Sequence, residues 1–317
     1  MMDLDLSGID VPPSIRSDLY RLRDDRTHGA TWIAYDAVRV LHHHAAELVE
    51  EDARQPDRIH AAAMHLAAVR PSMVAPANAM ARLWQAASQH QTAEARVRAV
   101  HSAADALLRE HELVMEHLWT VCQPWLKPVM YVHSRSGSIE GILLRCASRM
   151  ANSDGEGIRV IVPQSLPGGE GTALADSVAA AGLRVTLVAD AACGIFVRDA
   201  DVVLVGADSI RADGSITNKV GTLPLALTAA DAHIPLLVIA ESIKVAPHEF
   251  PLILEEMDPS EILPLPHERI EIRNPYFDHT PADLVSAYLT ERGVLSRAEV
   301  GQLAARASTA WKALWSQ

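Results

Sequence analysis

From Val129 the chain alternates between two textures, and that alternation narrows the fold more than any other feature. Five short apolar runs, "VMYVH", "IRVIVP", "LRVTLVA", "VVLVG" and "PLLVIA", begin at Val129, Ile158, Leu183, Val202 and Pro235. Between them lie "GSIEGILLRCASRMA", "GTALADSVAAAG", "ACGIFVRDA" and "GTLPLALTAADAH", all helical in pattern. Strands that are apolar throughout are buried on both faces, and strand–helix alternation builds such sheets from βαβ units. The expectation is a Rossmann-like, doubly wound parallel sheet. No G-x-G-x-x-G follows the first strand and no G-x-x-x-x-G-K-[ST] occurs, so neither a dinucleotide nor a P-loop reading has its usual support.

Upstream of Pro128 the texture is different. "WIAYDAVRVLHHHAAELVEE" (Trp32 to Glu51) spaces Ile33, Ala37, Val40 and Leu41 at helical intervals, and "AEARVRAVHSAADALLREHELVMEHLWTVC" (Ala93 to Cys122) reads as a long helix. A third helix is entered after the prolines of "VRPSMVAPANAMARLWQAAS" (Val69 to Ser88). The 317 residues therefore divide into a helical domain over 1–127 and an α/β domain over 128–317. "EIRNPYFDHTPADLVSAYLTERGVL" (Glu271 to Leu295) is expected to close the second domain with turns and then a helix opened by Thr280-Pro281.

Charge and cysteine usage limit the partners. A net charge of −12, from 28 basic and 40 acidic residues, argues against nonspecific binding to nucleic acid or anionic membranes, while leaving room for a local basic pocket. Met1 to Asp10 shows no apolar signal-peptide core, and no stretch approaches the roughly 20 apolar residues that cross a bilayer. Three scattered cysteines, Cys122, Cys146 and Cys193, do not make a disulfide framework or a structural zinc site. The expected location is cytoplasmic. Consecutive residues on a helix point about 100° apart, so His42-His43-His44 is a poor chelating face, and no metal or cofactor is expected.

Strand ends of such a sheet share one edge, where open α/β folds bind ligands. His133-Ser134-Arg135-Ser136-Gly137 follows the first strand, Asp208 and then Asn218-Lys219 the fourth, and Glu241-Ser242-Ile243-Lys244 the fifth. A helix N-terminus with hydroxyls suits phosphate, and an acid among lysines and amides suits proton transfer on a phosphorylated polyol. Each residue also has a plainer reading: Asp208 as a loop cap, Ser134 and Ser136 as helix caps, Lys244 as a solvated charge.

Longer motifs decide between these. "GADSIRADGSITNKVGT" resembles the signature of the family shared by methylthioribose-1-phosphate isomerase, ribose-1,5-bisphosphate isomerase and the regulatory subunits of eukaryotic translation initiation factor 2B. "VRPSMVAPANAM", "TLVADAACGIFVRDADVVLVGAD", "VIAESIKV" and "RNPYFDHTPADLVSAYLTERGVL" also resemble family segments, in family order, over roughly residues 20 to 300. Length and the Glu241–Lys244 segment look nearest to ribose-1,5-bisphosphate isomerase. The resemblance implies an aldose 1-phosphate to 1-phospho-ketose isomerase. In it Asp208 is the acid/base, Asn218 and Lys219 hold sugar and phosphate, Arg70 belongs to the anion pocket and Lys244 holds a second phosphate. It implies a small phosphorylated sugar as ligand, a cleft bringing Arg70 to Asp208, and a homodimer or higher homo-oligomer.

Two positions depart from the isomerase pattern. Ser134 stands where the isomerases carry a cysteine, and a hydroxyl supplies no ready thiolate. His28, before Gly29 and Ala30, replaces the arginine of an R-G-A turn, and an imidazole grips phosphate less firmly than a guanidinium. Cys193 is either a stand-in for the missing thiol or a packed cysteine. An alternative function follows from the same resemblance: a non-catalytic sugar-phosphate or nucleotide sensor related to the regulatory subunits.

Overall fold

The computed structural model describes residues 10–25, 27–50, 58–150 and 157–316. The expectations resting on Met1 to Ile9 and on Glu51 lie outside the described residues. The chain opens with helices α1 (Arg16–Asp24), α2 (Ala30–Glu50), α3 (Arg58–Ala67), α4 (Val74–Ala87) and α5 (Ala93–Cys122). Helix α4 explains the group. Ala75, Ala77, Ala79, Ala81 and Ala87 are buried along with Val74, Met80 and Leu83, so small side chains let neighbouring helices approach it from several sides. It packs against α2, α3 and α5.

The strands and helices that follow are β1 (Val129–His133), α6 (Gly137–Met150), β2 (Arg159–Pro163), α7 (Glu170–Ala180) and β3 (Arg184–Val188), with a single-turn α8 (Cys193–Phe196) before β4 (Val202–Val205). Then come β5 (Ser209–Ile210), β6 (Ile216–Lys219), α9 (Thr222–Asp231), β7 (Leu236–Ile239), β8 (Phe277–Thr280), β9 (Ala287–Thr290), β10 (Gly293–Leu295) and α10 (Arg297–Trp315). The main sheet has the order β10-β9-β7-β4-β1-β2-β3, parallel except for the antiparallel pairing of β10 on β9. Alternate strand residues bury to opposite faces: Met130, Val132, Leu204 and Leu237 face α5, α6 and α7, whereas Tyr131, Val203, Val205 and Val238 face α9 and α10. Both faces being covered accounts for the uninterrupted apolar runs.

The segment from Thr280 corrects the sequence reading. Pro281 opens only a 3-10 turn, Ala282–Leu284, and the expected helix is instead strand β9 followed by β10. Tyr288, Leu289 and Thr290 are all buried where β9 lies parallel to β7. An aromatic, β-branched stretch that extends a sheet gains more by pleated packing than its helix propensity can offset. The stretch "ACGIFVRDA" likewise holds one helical turn between 3-10 turns. A second small sheet, β5-β6-β8, was not anticipated either; it puts Asn218 and Lys219 on a strand.

The last helix crosses back to the helical half. Ala310, Trp311, Leu314 and Trp315 join the core formed by α2, α3 and α4, while Trp84 Nε1 donates to the Ala313 carbonyl at 2.9 Å. The His60 ring stacks on Trp84 with centroids 4.3 Å apart.

Candidate active site

Strand order reverses between β1 and β4, and their carboxyl ends splay the following loops apart, which opens a crevice there. The register sets His133 beside Val205, and Val205 beside Val238. Three neighbouring strands therefore deliver Ser134, Gly206–Asp208 and Glu241–Lys244 to one rim. A cavity of about 710 Å³ occupies it, closed on the far side by α2, α5 and the turn after α3. Gly206 lets the two loops approach closely, since a Cβ at that position would lie a tight 3.0 Å from Ser136 Cβ.

His28, Gly29, Ala30, Arg70, Ser134, Ser136, Asp208, Asn218, Lys219 and Lys244 all line this cavity. Cys193 does not line it, so the thiol offered as a substitute for the missing cysteine is not at the rim. Arg70 from the helical half and Asp208 from the sheet half share the same space, as a cleft between the two halves requires.

Three cations dominate the cavity, and each is withdrawn from water: Arg70 is 4% exposed, Lys219 4% and Lys244 5%. Arg70 donates through Nε and Nη2 to Glu255 at 3.2 and 3.1 Å and through Nη1 to the Asp25 carbonyl at 3.0 Å. Lys219 Nζ lies 2.9 Å from Glu170 Oε1 and 3.3 Å from the centre of the Tyr276 ring. Burial lowers its pKa, opposed by Glu170. Lys244 differs: its ammonium forms no salt bridge among the described residues, so its charge is the one most available to a ligand. A buried charge without a partner is costly unless something binds it.

The N-terminus of α6 also lines the cavity. Its first-turn N–H groups have no helical partners and carry the positive end of the helix dipole. Ser136 Oγ is buried there without a hydrogen bond among the described residues. Ser134 takes a left-handed backbone (φ 64°), and its N–H donates to Ser165 Oγ at 3.0 Å. His28 is held through Nδ1 to Asp25 at 2.8 Å and stacked on Trp32 at 3.8 Å. Asn218 Nδ2 donates to Thr222 Oγ1 at 2.9 Å.

Asp208 lines the same cavity, within electrostatic reach of the three cations. Desolvation pushes its pKa up, while Lys244, Arg70 and Lys219 pull it down and Glu255 pushes it up; the net direction is up. A rise in this direction favours the acid form, from which a carboxyl can deliver a proton. Behind it, burial pushes the pKa of His133 down, and this ring is fixed by a 3.0 Å contact to the Val220 carbonyl. Among the described residues no group of three or more His, Cys, Asp or Glu could hold a metal ion, and no helix is long and apolar enough to cross a membrane.

Cavity groups that sequence reasoning missed include His111, Glu170, Glu241 and Tyr276. Glu241 adjoins Lys244 on the strand-end segment, which was a usable signal. His111 sits mid-helix among charged residues, and nothing local marks it.

Comparison with known proteins follows from this geometry. The model of the initiation factor 2 subunit family matches residues 26–297. Ribose 1,5-bisphosphate isomerase of Archaeoglobus fulgidus is 29% identical over 285 residues, covering 87% of each chain. The protein of that name from Haloferax volcanii is 30% identical over 291 residues, 89% of each chain. A crystal structure of Pyrococcus horikoshii OT3 translation initiation factor eIF-2B superposes with a TM-score of 0.73 at 27% identity, covering 90% of this chain and 97% of that one.

Proposed function

This chain belongs to the initiation factor 2 subunit family, and from that premise we propose that it is an intramolecular oxidoreductase, an aldose–ketose isomerase of a phosphorylated sugar. The substrate class is an aldose 1-phosphate, ribose-1,5-bisphosphate-like, converted to the 1-phospho-ketose. One observation carries the reading: a carboxyl, Asp208, lines one cavity with three buried cations, and desolvation there pushes its pKa up. A site that only bound anions would gain nothing from an acid placed among its cations.

The chemistry follows from what the substrate needs. Opening the sugar ring breaks the bond between C1 and the ring oxygen, which must gain a proton as it leaves, and Asp208 supplies it. One phosphate is held by Lys219 and Lys244, the other by the α6 N-terminus with Ser134 and Ser136, and Asn218 and Arg70 complete the pocket. Phosphate binding at both ends fixes the reacting carbons between them, so binding energy goes into orientation.

Ser134 favours a second reading, a non-catalytic sugar-phosphate or nucleotide sensor, because the serine provides no thiolate. Incubation with a panel of pentose and tetrose phosphates, followed by phosphorus NMR, separates the two. The isomerase reading expects a new phospho-ketose signal from at least one 1-phosphorylated aldose. Binding by calorimetry without conversion of any of them overturns it in favour of the sensor.

A further inference from the structure

Isomerisation of a cyclic aldose 1-phosphate requires two proton transfers. The ring oxygen gains a proton as its bond to C1 breaks. Hydrogen passes from C2 to C1 with its bonding electron pair, as hydride, reducing C1 and oxidising C2, and the C2 hydroxyl loses its proton as the C2 carbonyl forms. No outside oxidant or reductant enters, but a base must accept the hydroxyl proton. Asp208 in its acid form cannot be that base at the same moment, and the hydrogen bond fixing Ser134 is made by its backbone N–H.

We propose that Glu241, held by His111, is this base; the inference rests on the isomerase reading above. Glu241 and Asp208 stand in equivalent places, each three residues beyond the paired Val238 and Val205. Adjacent strands lie about 4.8 Å apart, so the two carboxyls enter the cavity from neighbouring strand ends. Glu241 is 3% exposed, lines the same cavity, and its Oε2 has no hydrogen bond among the described residues. His111 reaches it from α5, with Nδ1 3.5 Å from Oε2. This Nδ1 also lacks a hydrogen bond among the described residues, and stacking on Tyr35 at 3.7 Å fixes the ring. Two unsatisfied buried polar atoms facing one another cost stability, and a pair left slightly too long without substrate is the usual condition of groups that tighten in a complex.

Glu241→Gln keeps the size and removes the base. Turnover of the sugar phosphate found by the NMR panel should fall roughly 10²- to 10⁴-fold, with its calorimetric Kd within about fivefold of the parent. Glu241→Asp, which retains a carboxylate, should recover part of the rate, and His111→Gln should lose less than Glu241→Gln. If the parent turns over substrate and Glu241→Gln retains its rate, the inference is overturned and the isomerase assignment stands. A parent that binds but never converts overturns both.

Discussion

Lys219 offers the sharpest test of the anion site, because its surroundings are specified on every side. Its ammonium touches Glu170 at 2.9 Å and the Tyr276 ring at 3.3 Å, and it is almost wholly buried. Lys219→Met keeps the length of the stem and leaves sulfur against the ring, a contact that aromatic faces favour. The fold should therefore survive. What is lost is one charge-assisted contact to phosphate, worth roughly 1.5–3 kcal/mol, which corresponds to about a 10- to 150-fold weaker Kd. The variant also leaves Glu170 unpaired. Its side chain is 26% exposed although Oε2 is shielded, so screening is partial and the added repulsion should stay at about 1 kcal/mol. Removing that acid as well, in Lys219→Met/Glu170→Gln, should then recover no more than about fivefold. Calorimetry with the converted sugar phosphate, and with inorganic phosphate as a charge-only probe, measures each variant. A Kd for Lys219→Met within twofold of the parent would refute the reasoning, whatever the double variant does.

Ser134→Cys restores the family thiol on a left-handed residue that already tolerates a side chain, and kcat should stay level or rise; a steep fall in steady-state assays would show that Ser134 does not occupy the thiol's position. Trp311→Ala should cost about 3–5 kcal/mol in urea unfolding, because this fully buried ring packs on Phe250 and Trp315 at the junction of α10 with the helical half. A loss under about 1 kcal/mol would mean that α10 is not structurally coupled to that core.

The parallel sheet was legible because burial on both faces writes itself into consecutive residues: Val202 to Val205 can hardly be read otherwise. The rim was legible for the same reason, since Ser134, Asp208 and Lys244 all follow such runs. Strands β8, β9 and β10 were not, because Thr280-Pro281 mimics a helix start and strands of three or four residues carry too few positions to show a period. Asn218 and Lys219 were placed on a loop, since a polar strand shielded by its partners β5 and β8 has no apolar alternation. The contribution of His111 depends on α5 passing the far end of β7, a tertiary coincidence that no local pattern encodes. Arg70 was found, but its engagement with Glu255 was not: the two are 185 positions apart.

A chain carrying −12 overall can hold an anion because its cations and its acids are not equally placed. Arg70, Lys219 and Lys244 act from a dry pocket, where a charge is felt far more strongly than one screened at the surface. Glu170 and Glu255 lie against two of them, and desolvation pushes the Asp208 pKa up, which weakens its opposing charge and favours the acid form that the proposed ring opening would use. The sign for stability follows. A carboxyl whose pKa is higher in the folded state favours folding most below the unfolded value near about 4. That contribution is lost as pH rises through the folded pKa. Asp208→Asn removes the titration, so relative to the parent its stability should improve as pH increases from about 4 towards neutrality. It should bind sugar phosphate at least as tightly as the parent, and turn over roughly 10²- to 10⁴-fold more slowly. Turnover undiminished in Asp208→Asn would leave the acid without a role, and weakened binding together with normal turnover would mean that its charge, not its proton, is what the cavity uses.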